Sequence, residues 1–369
     1  MFKKILIANR GEIAVTIIRA CRELGIKTVA VYSEADRTAL HAQLADDGIC
    51  IGPAPTRESY LNAQAILTAC TITGAEAIHP GFGFLSENAA FARMCEKCQI
   101  NFIGPSPRVI ELMGDKATAR QTAIEAGVPV IPGTEGVVDS LSDAIKAAAE
   151  IGYPVMIKAS SGGGGRGMRI ANSHEELPGA FQTAKAEALT CFGDDRVYIE
   201  RFVRDPRHIE IQLLGDKYGR VVHFGERDCS IQRRNQKILE EARSPFVNEE
   251  LRDRMGKAAV KLAEHVGYSG VGTVEFLVDA DRNFYFMEMN TRIQVEHPVT
   301  EAITGFNLIR EQIKVAASLP MKFSQKDIHF RGHSIECRIN AEDPAHGFRP
   351  SPGTITNLYI PGGPGIRID

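Results

Sequence analysis

Residues 3–32 read KKILIANRGEIAVTIIRACRELGIKTVAVY, and this stretch decides the fold. Its two ends, residues 3–8 and 27–32, are short runs rich in apolar and β-branched residues, which read as strands. Between them, Ile13, Ile17, Cys21 and Leu24 recur at helical spacing, and Gly25 stands where a helix stop belongs. Strand, helix and strand with short joints make a right-handed parallel βαβ unit. The pattern continues outward with a helix near 58–70, a strand at 75–78, a helix near 87–98 and a strand at 100–103. The first 110 or so residues therefore form an open parallel α/β layer. Such a layer suggests a dinucleotide site, but that fingerprint needs G-x-G-x-x-G at the first strand-to-helix turn. The turn here is Asn9-Arg10-Gly11-Glu12, with one glycine, so NAD(P) is excluded as the expected ligand.

Further along, residues 108–130 read as a connecting helical stretch holding Lys116. From 131 to about 203 comes a smaller unit, with a helix near 140–150. A third piece begins near 204, with strands at 208–214, 220–224, 271–278 and 284–290. The chain has 369 residues, 24% charged and 44% hydrophobic, with a net charge of −3. That composition fits a folded protein of about two to three domains and excludes disorder. It also gives no global attraction to nucleic acid or to a membrane surface. No apolar run approaches the roughly 18 residues that span a bilayer. The amino end has too short an apolar stretch for an export signal, so a cytoplasmic, reducing setting with eight free cysteines is expected. Cys95 and Cys98 form a lone C-x-x-C without further ligands at zinc spacing, and read as packing residues on a helix.

Three segments carry chemistry. Residues 160–167, SSGGGGRG, lie between strand-like runs at 154–159 and 167–171, at the tip of a hairpin. Glycines let backbone N–H groups close on an anion, and Arg166 adds charge. With no G-K-[S/T] and no following helix, this is a lid over phosphate rather than a Walker loop; a plain mobile loop is the alternative. In the second segment, alternation puts Phe284, Phe286, Glu288 and Asn290 on one face of a strand. A hairpin centred between Asp281 and Arg282 sets Glu275 opposite Glu288. Two opposed carboxylates repel, and with the Asn290 amide oxygen they make a hard-oxygen set suited to Mg²⁺. A one-residue register error would separate them. In the third, residues 290–298, NTRIQVEHP, an extended chain puts Arg292, Gln294 and Glu296 on one face. A guanidinium and an amide can hold a small planar oxyanion, and Glu296 can take its proton. Arg338 stands on another alternating strand. Taken singly, each of these residues also reads as a structural ion pair.

At this point the chain resembles the biotin carboxylase component of acetyl-CoA carboxylase and its relatives, in the ATP-grasp superfamily. The matching segments are KILIANRGEIAVTIIRA, AIHPGFGFLSEN, FIGP, MGDKATAR, KASSGGGGRGMRI, ERDCSIQRRNQK, MEMNTRIQVEHPVTE and ECRINAEDP. The resemblance implies a Rossmann-like, pre-ATP-grasp α/β domain over 1–113 and a helical linker over 114–130. An ATP-grasp lid over 131–203 would follow, then the ATP-grasp central domain with a shortened β-rich C-terminal region over 204–369. It implies that Lys116, Lys158, Gly163, Gly164, Gly165, Arg166 and Gly167 meet ATP phosphates. Glu200, Arg201, Val203, Leu277 and Met287 would lie at the adenine, and His208, Gln232 and Asn235 at the ribose and phosphate side. Glu275, Glu288 and Asn290 would hold Mg²⁺ or Mn²⁺. Arg292, Gln294 and the Val295 backbone would hold bicarbonate beside Lys237. Glu296 would deprotonate it, giving carboxyphosphate. Arg338 would stabilise the biotin enolate. Implied partners are a biotin carboxyl carrier protein, carboxyltransferase subunits or domains, and a second copy in a homodimer.

Two points depart from the family pattern. Asn235 stands where many members have histidine. The chain also stops at residues 362–369 in what reads as a strand without a partner, where the family's catalytic domain continues. Arg19 and Glu23 read as an intrahelical i, i+4 pair, although their family counterparts lie at a dimer interface. The competing functional readings are another ATP-grasp ligase joining a carboxylate to an amine, and a non-catalytic nucleotide-binding or dimerisation module.

Overall fold

The computed structural model describes residues 1–160, 167–234 and 236–369. The opening unit forms as its pattern predicts: strand Lys4–Ile7, helix Gly11–Glu23 and strand Lys27–Ser33, with Leu6, Ile7, Ile13 and Ile17 fully or almost fully buried. The sheet has five parallel strands in the order Asp47–Gly52, Lys27–Ser33, Lys4–Ile7, Ala77–His79, Asn101–Phe102. Strand order reverses on either side of Lys4–Ile7. The loops leaving Lys4–Ile7 and Ala77–His79 therefore border the crevice where such sheets place ligands. The edge strand Asp47–Gly52 was not anticipated, because DGICIG lacks a sustained apolar alternation.

The second body is a six-stranded antiparallel sheet in the order Phe284–Asn290, Gly270–Val278, Arg207–Gly215, Val221–Arg233, Gln236–Ala242, Ser334–Cys337. Helices Pro107–Gly114, Lys116–Glu125 and Glu249–Val266 cover one face, burying Met113, Ala123, Leu251, Met255 and Leu262 against Ile209, Ile211, Val274 and Phe276. A separate core joins this sheet to the first: Ile5, Ile13 and Ile17 pack with Leu214, Phe224, Leu308 and Ile313. The two sheets thus share an interior, which fixes the angle of the cleft between them. The smaller unit is a three-stranded antiparallel sheet, Met168–Ala171, Val155–Ala159, Val197–Arg201, backed by helices Leu141–Ile151 and Leu177–Phe192.

Several expectations change. The strand expected at 220–224 runs on to Arg233. Helix Glu249–Val266 and strand Gln236–Ala242 are additional elements. Residues 351–369 form no strand, because Ile355, Leu358 and Tyr359 lie exposed with no sheet edge beside them. Arg19 and Glu23 do not pair: Glu23 accepts from Arg310 at 2.8 Å, and Arg19 lies 3.6 Å from Asp369. Long-range partners thus win over the weak exposed helical pair. Cys95 is buried as a packing residue, but Cys98 is exposed at the C-cap of helix Ala89–Lys97. All eight cysteines are free. No helix among the described residues is long and apolar enough to cross a membrane.

Candidate active site

The hairpin Gly270–Val278/Phe284–Asn290 places the acids. Glu275 and Glu288 are partners in register, as expected, but strict alternation breaks between them and the turn. Leu277 faces Tyr285 and Phe276 faces Phe286, so the loop is centred on Asp281; Met287 is then an extra residue, a bulge. Phe284 and Phe286 therefore pack in the helix-covered core, Phe286 also reaching the cavity wall, while Glu288 and Asn290 turn to the cleft. At the bulge the strand is held from outside by the Phe286 N–H, which donates to Pro129 O at 2.7 Å.

The cleft encloses about 740 Å3 between the three units. The central sheet lines it with His208, Gln232, Lys237, Glu275, Leu277, Met287, Glu288 and Asn290. The small sheet supplies Lys158 and Glu200, and Lys116 comes from the first turn of helix Lys116–Glu125. The segment after Asn290 is turn rather than strand, yet Arg292, Gln294, Val295 and Glu296 all reach the same cavity. Arg338, one residue beyond strand Ser334–Cys337, closes that end. Phe82 and Gly83 line it from the first sheet's crevice. Arg201 and Val203 do not line the cavity: Arg201 is exposed and its N–H donates to Pro132 O at 2.8 Å. Gly167 takes a left-handed φ of +70°, and a Cβ there would lie 2.8 Å from the Ala159 Cβ. Gly163, Gly164, Gly165, Arg166 and Asn235 lie outside the described residues.

The electrostatics centre on Lys237. Its ammonium has three N–H bonds, and they donate to Glu210 at 2.7 Å, Glu275 at 2.9 Å and Glu296 at 2.9 Å. Burial alone would push this lysine's pKa down, but the three carboxylates outweigh it and raise it. Glu275 also accepts from Asn290 and Gln294 and is 2.5 Å from His208 Nε2. Burial opposes its charge, but the His208 contact and the nearby cations hold its pKa below the usual carboxylate range. Glu288 is the opposite case. It has no hydrogen-bond or ion-pair partner among the described residues, and burial and the Glu275 charge push its pKa up. An unpartnered, partly buried carboxylate opposite a second one is a donor set that fits a hard divalent cation. Asn290 is less free for that role, since its Oδ1 accepts from Arg292 at 2.8 Å. At the far end, Glu296 accepts from Lys237 and, at 3.0 Å, from Arg338. Lys158 and Glu200 form an ion pair across the small sheet.

Residues the sequence reading missed include Glu87, which accepts from Arg292 Nε at 2.8 Å and from the Thr291 N–H at 3.2 Å. Its segment, FGFLSEN, matches the family pattern, but nothing local marks a residue that acts across the cleft. Glu210, and Arg120, which lines the cavity and donates to Ile131 O at 2.9 Å, were also missed; an acid in an alternating apolar strand was the available signal for Glu210.

Two sheets closing on a cleft lined by lysines and an opposed carboxylate pair define the ATP-grasp class. The family comparisons agree. The model described as "Biotin carboxylase, N-terminal domain" matches residues 1–110. "Carbamoyl-phosphate synthase L chain, ATP binding domain" matches 115–323 and "Biotin carboxylase C-terminal domain" matches 336–369. The biotin carboxylase of Nostoc sp. is 58% identical over 368 residues, covering 100% of this chain and 82% of the relative. A crystal structure of the biotin carboxylase domain dimer of Hydrogenobacter thermophilus 2-oxoglutarate carboxylase, with MgADP, ADP and bicarbonate, superposes with a TM-score of 0.89. It is 55% identical and covers 100% of this chain and 81% of that one. The crystal structure of a pyruvate carboxylase's biotin carboxylase component superposes with a TM-score of 0.88, at 54% identity, covering 100% and 81%. The chain belongs to the biotin carboxylase family and is an enzyme of the ligase class.

Proposed function

We propose that this chain carboxylates biotin borne on a biotin carboxyl carrier protein, using ATP and bicarbonate through carboxyphosphate. One observation carries the reading: donors for a small oxyanion (Arg292, Gln294, Lys237) line one cavity with Glu296, whose carboxylate accepts from Lys237, and the same cavity presents Lys116 and Lys158. Phosphoryl transfer needs mainly alignment and charge neutralisation, which such a set supplies. In this reading Lys116, Lys158 and the glycine run around Gly163–Gly165, Arg166 and Gly167 hold the phosphates. Glu200, Leu277 and Met287 border the base, with Arg201 and Val203 behind them, and His208, Gln232 and Asn235 follow the ribose. Glu275, Glu288 and Asn290 would hold Mg²⁺ or Mn²⁺, which supplies charge neutralisation at phosphate oxygens.

The remaining steps belong to this chain's own groups. Arg292, Gln294 and the Val295 backbone hold bicarbonate, and Glu296 removes its proton so that the oxyanion attacks the γ-phosphorus. Carboxyphosphate gives CO₂ and phosphate, the phosphate takes the ureido proton, and Arg338 stabilises the biotin enolate. The reading keeps the division at 1–113, 114–130, 131–203 and 204–369, and a homodimer, which the Hydrogenobacter domain also forms. As the finer assignment we carry acetyl-CoA as final acceptor, through separate carboxyltransferase subunits or domains. The second reading is a keto acid acceptor, pyruvate or 2-oxoglutarate, favoured by the likeness to the components of both carboxylases. The test is ATP hydrolysis that requires bicarbonate and is stimulated by free biotin. Stimulation by an amine or amino acid instead would overturn the reading in favour of an amine ligase.

A further inference from the structure

Beneath the cavity floor lies Arg227, with 0% of its side chain exposed and no part in the cavity lining. A guanidinium has five N–H bonds, and each finds a partner here. Nε donates to Glu210 Oε1 at 2.5 Å; Nη1 donates to Gln212 Oε1 at 2.6 Å and Thr300 Oγ1 at 3.0 Å. Nη2 donates to Thr273 Oγ1 at 3.2 Å and Gln294 Oε1 at 2.8 Å. A fully satisfied buried cation is ordinary in itself, but two of its partners belong to the site. Glu210 uses its other oxygen to hold Lys237 at 2.7 Å. Gln294 donates its Nε2 to Glu275 Oε1 at 2.8 Å.

We propose that Arg227 is a positioning residue that fixes Gln294 as an N–H donor to bicarbonate and, through Glu210, fixes Lys237 beside it. The proposal rests on the reading of Gln294 as a bicarbonate ligand. Matching of donors to acceptors decides the orientation. If the Gln294 amide turned over, its NH₂ would meet the guanidinium and its oxygen would meet the Glu275 carboxylate, a clash at both ends. Arg227 below and Glu275 beside therefore leave the amide one orientation, with its second N–H unclaimed among the described residues and available to an anion. Lysine cannot replace this arrangement, because one ammonium cannot span Glu210, Gln212 and Gln294 with the planar fork.

The test is steady-state ATP cleavage with bicarbonate and ATP varied separately. Arg227→Lys is expected to raise KM for bicarbonate about tenfold or more while KM for ATP stays within about threefold. In a Gln294→Ala background the same change is expected to add less than it costs alone, since the Gln294 contact is gone and only the route through Glu210 to Lys237 remains. Equal losses in both KM values, or full additivity with Gln294→Ala, would overturn the assignment. If Arg227→Lys does not fold, Thr273→Val tests the same nitrogen. A rise of about twofold or more in bicarbonate KM alone supports the role, and no change overturns it. Wild-type cleavage that ignores bicarbonate would overturn the reading of the pocket itself.

Discussion

Glu296 sits with one oxygen on Lys237 and the other on Arg338, so its orientation is set before any substrate arrives. Glutamine keeps that shape and loses the base. Glu296→Gln is expected to abolish bicarbonate-dependent ATP cleavage while ATP affinity, by calorimetry, changes by no more than about twofold. Behind Arg338, Glu336 and Glu240 face each other on paired strands. Burial and the Glu240 and Glu296 charges push the Glu336 pKa up to about 8. An acid raised in the folded state binds more protons folded than unfolded, so stability falls as pH climbs from the unfolded value, near 4.5, through about 8. Glu336→Gln removes that slope, and its Tm is expected to exceed that of the wild type at pH 8 more than at pH 5. The Glu275–Glu288 opposition was legible because it needed only a turn and a period of two. Arg227 and Glu210 were not, because their meaning depends on partners up to 73 residues away.

Register shifts shape the elements that carry the site, among them two bulges. Met287 re-aims Glu288, and a second bulge in strand Val221–Arg233 shifts register between His223 and Glu226. There Gly225 has φ +76°, and a Cβ would lie 2.7 Å from the Phe330 ring. Gly225→Ala is expected to cost about 1–3 kcal/mol, read as a fall of a few degrees in Tm. Because Arg227 follows two residues later, bicarbonate affinity should fall as well. Neither bulge shows in the sequence as more than a glycine or a methionine in a strand. Strand Gln236–Ala242 escaped notice for a related reason. Its inward positions carry Lys237 and Glu240, while Ile335 on its neighbour faces outward, 57% exposed. The apolar alternation that marks an ordinary strand is inverted where the sheet builds a polar pocket. The parallel layer, whose buried faces are dominated by Ile, Leu, Val and Ala, was read almost element by element.

At the scale of the whole molecule, a shared core and a few polar links join the first sheet to the second. Glu23–Arg310 lies on the outside, and Glu87–Arg292 lies at the cleft. The Glu87 side chain is 41% exposed, so the pair adds little to stability, on the order of 0–1 kcal/mol. Its effect is on the aim of Arg292. Glu87→Ala is expected to raise bicarbonate KM about three- to tenfold with ATP KM and Tm nearly unchanged, measured by initial rates and by calorimetric melting.

The same contact makes anion capture conditional on how the two bodies meet. Glu87 grips both the Arg292 Nε and the Thr291 amide, so parting the sheets would free that guanidinium nitrogen and unprotect that amide together. Deuterium uptake at residue 291 would then report, in a protein at rest, how often the oxyanion's seat is dismantled.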